Sequence, residues 1–165
     1  MTATIDIAAS GEREFVFTRL FEAPPHLVFE AHTVPALMLR WFTGPDGWKL
    51  TTCEIDLRPG GAFRNVWTHE DGREIGLSGT YDEVEAPTLL VATQLFDEDW
   101  TGGGTVNRQD FEAVGDGRTR LVTTVTCVSA EARDTMLKSG METGIAASYA
   151  RLDAILAGEP VGEKA

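Results

Sequence analysis

The side chains that could do chemistry in this 165-residue chain are three scattered histidines and a few amides set among apolar neighbours. His26, His32 and His69 form no H-x-x-x-H or comparable spacing, so they do not read as a metal site. His69 closes a strand-like run. Side chains alternate along a strand, so Phe63, Asn65, Trp67 and His69 share one face while Arg64, Val66 and Thr68 share the other. The two large aromatics mark the first face as inward. His69 then sits where an imidazole can serve as general acid or base, the plainer alternative being a solvated turn histidine beside Glu70 and Asp71. The same counting points Leu90, Ala92, Gln94 and Phe96 together. An amide in such surroundings costs about 1–3 kcal/mol if unsatisfied, so Asn65 and Gln94 are expected to bond to each other, to water or to a bound molecule.

Other chemistries find less support. There is no G-x-S-x-G elbow and no P-loop, and Gly102-Gly103-Gly104 lacks the strand-to-helix context of a phosphate cradle, reading instead as a flexible strand entry or bulge. Asp97-Glu98-Asp99 lacks the ordered carboxylate spacing of a calcium loop and reads as a solvated turn. Cys53 and Cys127 lie far apart in strand-like segments and read as free thiols of a reducing compartment. No metal and no cofactor is expected.

The elements that must position these residues are legible from pattern and punctuation. Residues 14–21, EFVFTRLF, are rich in aromatic and β-branched residues and read as a first strand. Pro24 and Pro25 end it and open a helix, and Leu27, Val28, Ala31, Leu37, Met38 and Trp41 recur at helical spacing on either side of Pro35. Two short helices with a break at Thr33 and Val34 follow from that. The turn GPDG at 44–47 is flanked by Trp41, Phe42 and Trp48, which either frame a cavity mouth or plug the core end. Six further strands fit 48–57, 62–69, 74–85, 88–96, 104–114 and 118–128, joined so tightly that neighbours pair antiparallel.

Ser129 is placed to cap a helix with Glu131 in its first turn, and Leu137, Met141, Ile145, Tyr149, Leu152 and Leu156 draw an apolar stripe ended by Gly158 and Pro160. The concave face of the preceding sheet is the one large surface that can cover this stripe. Gly140 and Gly144 mark either a close approach of helix backbone to its neighbours or a break between a lead-in helix and the main one. The expected domain spans 14–158, with a mobile arm over 1–13 and a disordered tail over 159–165.

With 26 acidic against 14 basic residues the formal net charge is −12, and no window gathers Lys and Arg into a patch. Such a field repels phosphate backbones and anionic lipid surfaces, so neither a nucleic-acid nor a membrane partner is expected. No window approaches a spanning length of apolar residues, and the N-terminus has no leader-like run, which points to the cytoplasm.

The order strand, two short helices, six strands, long helix resembles the START-like or SRPBCC superfamily. Local motifs narrow the resemblance: P-x-x-V-F-E-A-x-T within 24–33, R-W-F-x-G-P-x-G-W at 40–48, D-x-R-P-G-G-x-F-R at 56–64, G-x-Y-x-E-V-E-x-P at 79–87, and the glycine-containing helix stretch at 140–156. Together, over about 14–157, they are similar to the family named for the activator of heat-shock protein 90 ATPase homologues. The resemblance implies an α+β helix-grip fold: a curved antiparallel sheet of about seven strands wrapped on a long C-terminal helix, enclosing a cavity.

Phe63, Trp67, Phe96, Phe111, Met141, Ile145 and Tyr149 would form its apolar wall and Trp41 its mouth, with Asn65, Gln94 and His69 orienting a polar group of the ligand. Related sequences commonly carry aromatics near Asn65, Ala92 and Gln94 and often Trp at His32, so the cavity here should be roomier and more polar. An Asp would cap the second short helix where Val34 stands, leaving Thr33 as the expected cap. The implied partner is a small apolar or amphipathic molecule. A chaperone whose ATPase is stimulated, or cyclase- or hydrolase-like chemistry through His69, are the alternatives. The chain would act as a monomer, or as a homodimer formed through an exposed edge strand.

Overall fold

A computed structural model describes residues 5–158. Within them, eight strands form one antiparallel sheet: β1 (Asp6–Ser10), β2 (Glu14–Phe21), β3 (Trp48–Ile55), β4 (Ala62–His69), β5 (Glu74–Glu85), β6 (Leu89–Phe96), β7 (Thr105–Val114) and β8 (Arg118–Thr126). Their spatial order is β1-β2-β8-β7-β6-β5-β4-β3. Strands β3 to β8 are neighbours in sequence and in space, as tight turns require, and the return of β8 to β2 brings the first and last thirds of the chain together. Register shifts between Leu50 and Thr52 and between Tyr81 and Glu83 are bulges, which bend the sheet into its concave form.

The helices are α1 (Pro25–Ala31), α2 (Pro35–Trp41), α3 (Ala130–Lys138) and α4 (Met141–Leu156). Both short helices begin on proline, whose fixed φ suits a first turn and whose missing N–H costs nothing there. Helix α4 lays Tyr149 and Leu152 on the sheet, where Tyr149 meets Phe21 edge-on at 5.1 Å. Arg19 reinforces this contact. Strand alternation turns it inward, where it is 2 % exposed, and its guanidinium forms a bidentate pair with Asp153 of α4 at 2.9 and 2.7 Å. A forked pair of this kind fixes orientation as well as charge.

Two expectations need correction. The arm expected to be mobile over 1–13 contains β1, which pairs with β2 from Asp6↔Thr18 to Ser10↔Glu14, and Ile5 and Ile7 pack against the core. Isoleucines on one face of a short segment suffice for an edge strand, although the run is too brief to show a clear alternation in the sequence. Of the two readings of Gly140 and Gly144, a break between a lead-in helix and the main one forms at Gly140, which adopts a left-handed φ of 86° that no L-residue tolerates comfortably. Thr33 does not cap α2. The N-cap is Val34, and the Thr33 hydroxyl donates instead to the Phe29 carbonyl at 2.9 Å. Ser129 does cap α3, accepting from Ala132 N–H at 3.0 Å. Residues 159–165, expected as a tail, lie outside the described residues. No described helix is long and apolar enough to cross a membrane.

Candidate functional site

Between the concave face of the sheet and the helices lies a cavity of about 280 Å³. The sheet contributes its inward residues row by row. Asn65 of β4 stands opposite Leu77, which stands opposite Phe96; Phe63 stands opposite Gly79, and Gly79 opposite Gln94. The Phe63 ring lies directly over Gly79, where any Cβ would collide with it. Next to these rows come Ala92 opposite Asn107 and Leu90 opposite Gln109. Trp41 of α2 and Met141, Ile145 and Tyr149 of α4 close the opposite wall. Trp41 is held by donating its indole N–H to the Ala31 carbonyl, and Trp67 by donating to the Phe42 carbonyl, each at 2.8 Å. At the rim stands Trp100, 43 % exposed and tilted against Phe96 with ring centres 5.6 Å apart.

Of the residues singled out in the sequence, Trp41, Phe63, Asn65, Trp67, Gln94, Phe96, Met141, Ile145 and Tyr149 line this cavity. His69 and Phe111 do not. Alternation gives His69 the expected face but says nothing of reach along the strand, and the cavity ends at Trp67. His69 packs edge-on against Trp48 at 4.9 Å, and its Nδ1 accepts the Asp71 backbone N–H at 3.2 Å, which closes the β4–β5 hairpin. It therefore touches nothing that the cavity could hold. Phe111 is covered by the first short helix, meeting Phe29 at 5.2 Å and His32 at 5.4 Å. Trp48 likewise flanks the hairpin and not the mouth.

The imidazole that does face the cavity is His32, 8 % exposed. Its Nδ1 lies 2.8 Å from the Val28 carbonyl, which can only accept, so Nδ1 carries the proton. Nε2 is then a bare acceptor, and it has no hydrogen-bond partner among the described residues. Burial pushes the pKa of His32 down to about 4, only partly offset by the bond to Val28, so the ring is neutral around pH 7. Trp41 and Phe111 pack edge-on against it at 4.8 and 5.4 Å and hold its plane.

Asn65, 4 % exposed, is the second such group: its Oδ1 also has no partner among the described residues. Of the partners open to these amides, a direct bond between Asn65 and Gln94 does not form, because β5 stands between their strands and they occupy different rows. Asn107 and Gln109 extend the amide band across β7, Asn107 donating to Thr105 Oγ1 at 2.8 Å. Both were available to strand counting from Phe111 backwards. Leaving a buried acceptor unsatisfied costs about 1–3 kcal/mol, a large penalty to carry twice in the lining of one cavity.

Nucleophilic chemistry has little to work with. Burial, and secondarily Glu54, pushes the Cys53 thiol up to about 11, and burial also raises Cys127; both thiols are free. Among the described residues no cluster of His, Cys, Asp and Glu could hold a metal ion. No charged side chain lines the cavity among the described residues.

The family described as Activator of Hsp90 ATPase homolog 1-like protein matches residues 22–157. Among solved structures, a protein of Rhodobacter sphaeroides is 35 % identical with a TM-score of 0.88, the match covering 94 % of this chain and 99 % of that one. Protein Ms6760 of Mycobacterium smegmatis is 25 % identical with a TM-score of 0.79, covering 93 % and 96 % of the two chains. An AHSA1-like protein from Aeromonas hydrophila, 22 % identical with a TM-score of 0.67 over 87 % of this chain and 94 % of its own, shares the fold. No curated protein matches.

Proposed function

This chain belongs to the Activator of Hsp90 ATPase homolog 1-like family, and from that premise we propose that it is a cytoplasmic binding protein for a small, mainly apolar molecule held between the sheet and α4. The observation that carries this reading is the cavity of about 280 Å³, whose wall is aromatic and aliphatic with a few convergent polar groups. Binding sites for small molecules have this composition. The volume is at the small end of such sites and favours a compact ring-sized compound over a long-chain lipid. The two orphaned acceptors favour binding as well, since a complex would relieve a cost that the free fold carries.

The test is mass spectrometry of small molecules released when the purified full chain is denatured. One compound near stoichiometric amount is expected, and its retention is expected to be lost in Trp67→Ala and Met141→Trp, with both variants still unfolding cooperatively. Undiminished retention in both variants, or no compound released from the parent protein, sinks the reading.

The family's name supports a second reading, stimulation of a chaperone ATPase through the protein surface. Adding saturating chain to an Hsp90-type ATPase decides it, and an unchanged rate removes it.

A further inference from the structure

We infer that the molecule bound in this cavity is uncharged and donates a hydrogen bond, from a hydroxyl or an amide N–H, to one of two unpartnered acceptors, His32 Nε2 or Asn65 Oδ1. This rests on the binding reading above and adds the chemical class of the ligand. The two atoms are acceptors for independent reasons. Nδ1 of His32 is committed as donor to the Val28 carbonyl, which leaves a lone pair on Nε2, and the packed rings of Trp41 and Phe111 keep the imidazole from turning to another partner. Asn65 has Cys53 and Leu77 as its partners in the sheet and Phe96 one strand further, side chains with no strong donor for Oδ1. The Cys53 thiol is directed to the Met38 sulfur at 3.9 Å. Both acceptors belong to the buried part of the wall, and the half-exposed Trp100 stands at the rim, so the donor end enters first and the apolar body lies under Met141 and Ile145.

The charge of the ligand follows from what surrounds it. A carboxylate would set acceptors against acceptors with no cation in the wall to offset them. An ammonium could donate, but it would meet the same burial that holds the His32 ring neutral. A neutral alcohol, phenol or amide escapes both objections.

Three probes that share one ring system test this on the full chain by fluorescence or calorimetric titration at pH 7: 2-naphthol, its methyl ether, and naphthylmethylammonium. Naphthol is expected to bind at least ten-fold more tightly than either of the others. In the double variant His32→Phe/Asn65→Leu, that preference over the ether should fall to within about three-fold, with binding of the ether itself retained as evidence of an intact cavity. Equal binding of naphthol and ether by the parent protein overturns the donor requirement and leaves the cavity reading standing. Tightest binding of the ammonium overturns neutrality, and an unchanged preference in the double variant overturns the assignment to these two acceptors. Failure of all three probes to bind counts against the cavity reading itself.

Discussion

Arg64 and Asn65 are neighbours in sequence and stand on opposite faces of the same sheet, and the two faces treat polar groups differently. On the outer face Arg64 donates to Ser78 Oγ at 2.8 Å and to the Asp97 carboxylate at 2.6 and 2.7 Å, while Arg108 pairs with Asp110 at 2.9 Å. Gly76 makes room for the Arg64–Asp97 pair, since a Cβ there would collide with both partners. On the inner face Asn65 and His32 each present an acceptor that no described residue satisfies. Charges are abundant and mutually paired outside; inside, apart from the Arg19–Asp153 pair, the polar groups are few and neutral, and His32 and Asn65 each leave an acceptor without a partner among the described residues. Stability alone would favour satisfying the buried groups first, so the inner face is where the proposed binding would leave its mark.

The contrast can be broken first through the ion pairs. Removing Asp153 leaves Arg19 buried without its counter-charge, and Asp153→Ala is expected to cost about 3 kcal/mol in urea unfolding. The outer counterpart, Asp97→Asn beside a solvated Arg64, should fall within the error of the measurement. Similar costs for both would erase the distinction between the faces.

A second test uses pH. His32 accepts a proton at 6.5 in the unfolded chain but only at about 4 in the fold, so its contribution is fully present above pH 6.5 and is lost as pH falls from 6.5 to 4. The loss should be on the order of 3 kcal/mol. The exposed carboxyls of Asp71, Asp97 and Asp99 are held below the ordinary carboxylate value by hydrogen bonds and titrate later, at lower pH. His26 and His69 remain in His32→Phe, so comparing unfolding midpoints of this variant and the parent at pH 7 and 4.5 isolates the His32 share. Parallel declines in the two proteins would refute it.

A smaller effect of the opposite sign is expected at Asn65. Asn65→Leu exchanges an unsatisfied amide for an apolar group of similar size and should raise stability by about 1 kcal/mol in the protein freed of ligand, read as a higher urea midpoint at constant slope. A destabilised variant would mean that the amide has a partner within the fold.

Most of the architecture is legible in the sequence because its signals are local: β2, β4 and β5 fall where alternation and turn residues put them, as do the two proline-initiated helices. The cavity wall is legible to the extent that it follows from parity, which is why Phe63, Asn65, Trp67, Gln94 and Phe96 come together. What parity cannot supply is position along the strand and the identity of the covering element. His69 lies past the end of the cavity, and Phe111 lies under α1. His32 is the C-cap of a helix too short to declare a face, so only the packed structure aims its ring. Arg19 was hidden for another reason, since a charge at an inward position has meaning only once Asp153 of the distant α4 is seen beside it.

The brief strand β1 bears on how the protein behaves in concentrated solution. Without it, β2 would be the margin of the sheet, an eight-residue strand carrying Phe15, Phe17 and Phe21 with one full row of main-chain groups open to any passing chain. Such margins recruit other strands and seed precipitation. Five residues, among them Asp6 and Ser10, take that place with a shorter and more polar border. The N-terminal segment thus acts as a selvedge, keeping the fabric of the sheet from joining to its neighbours.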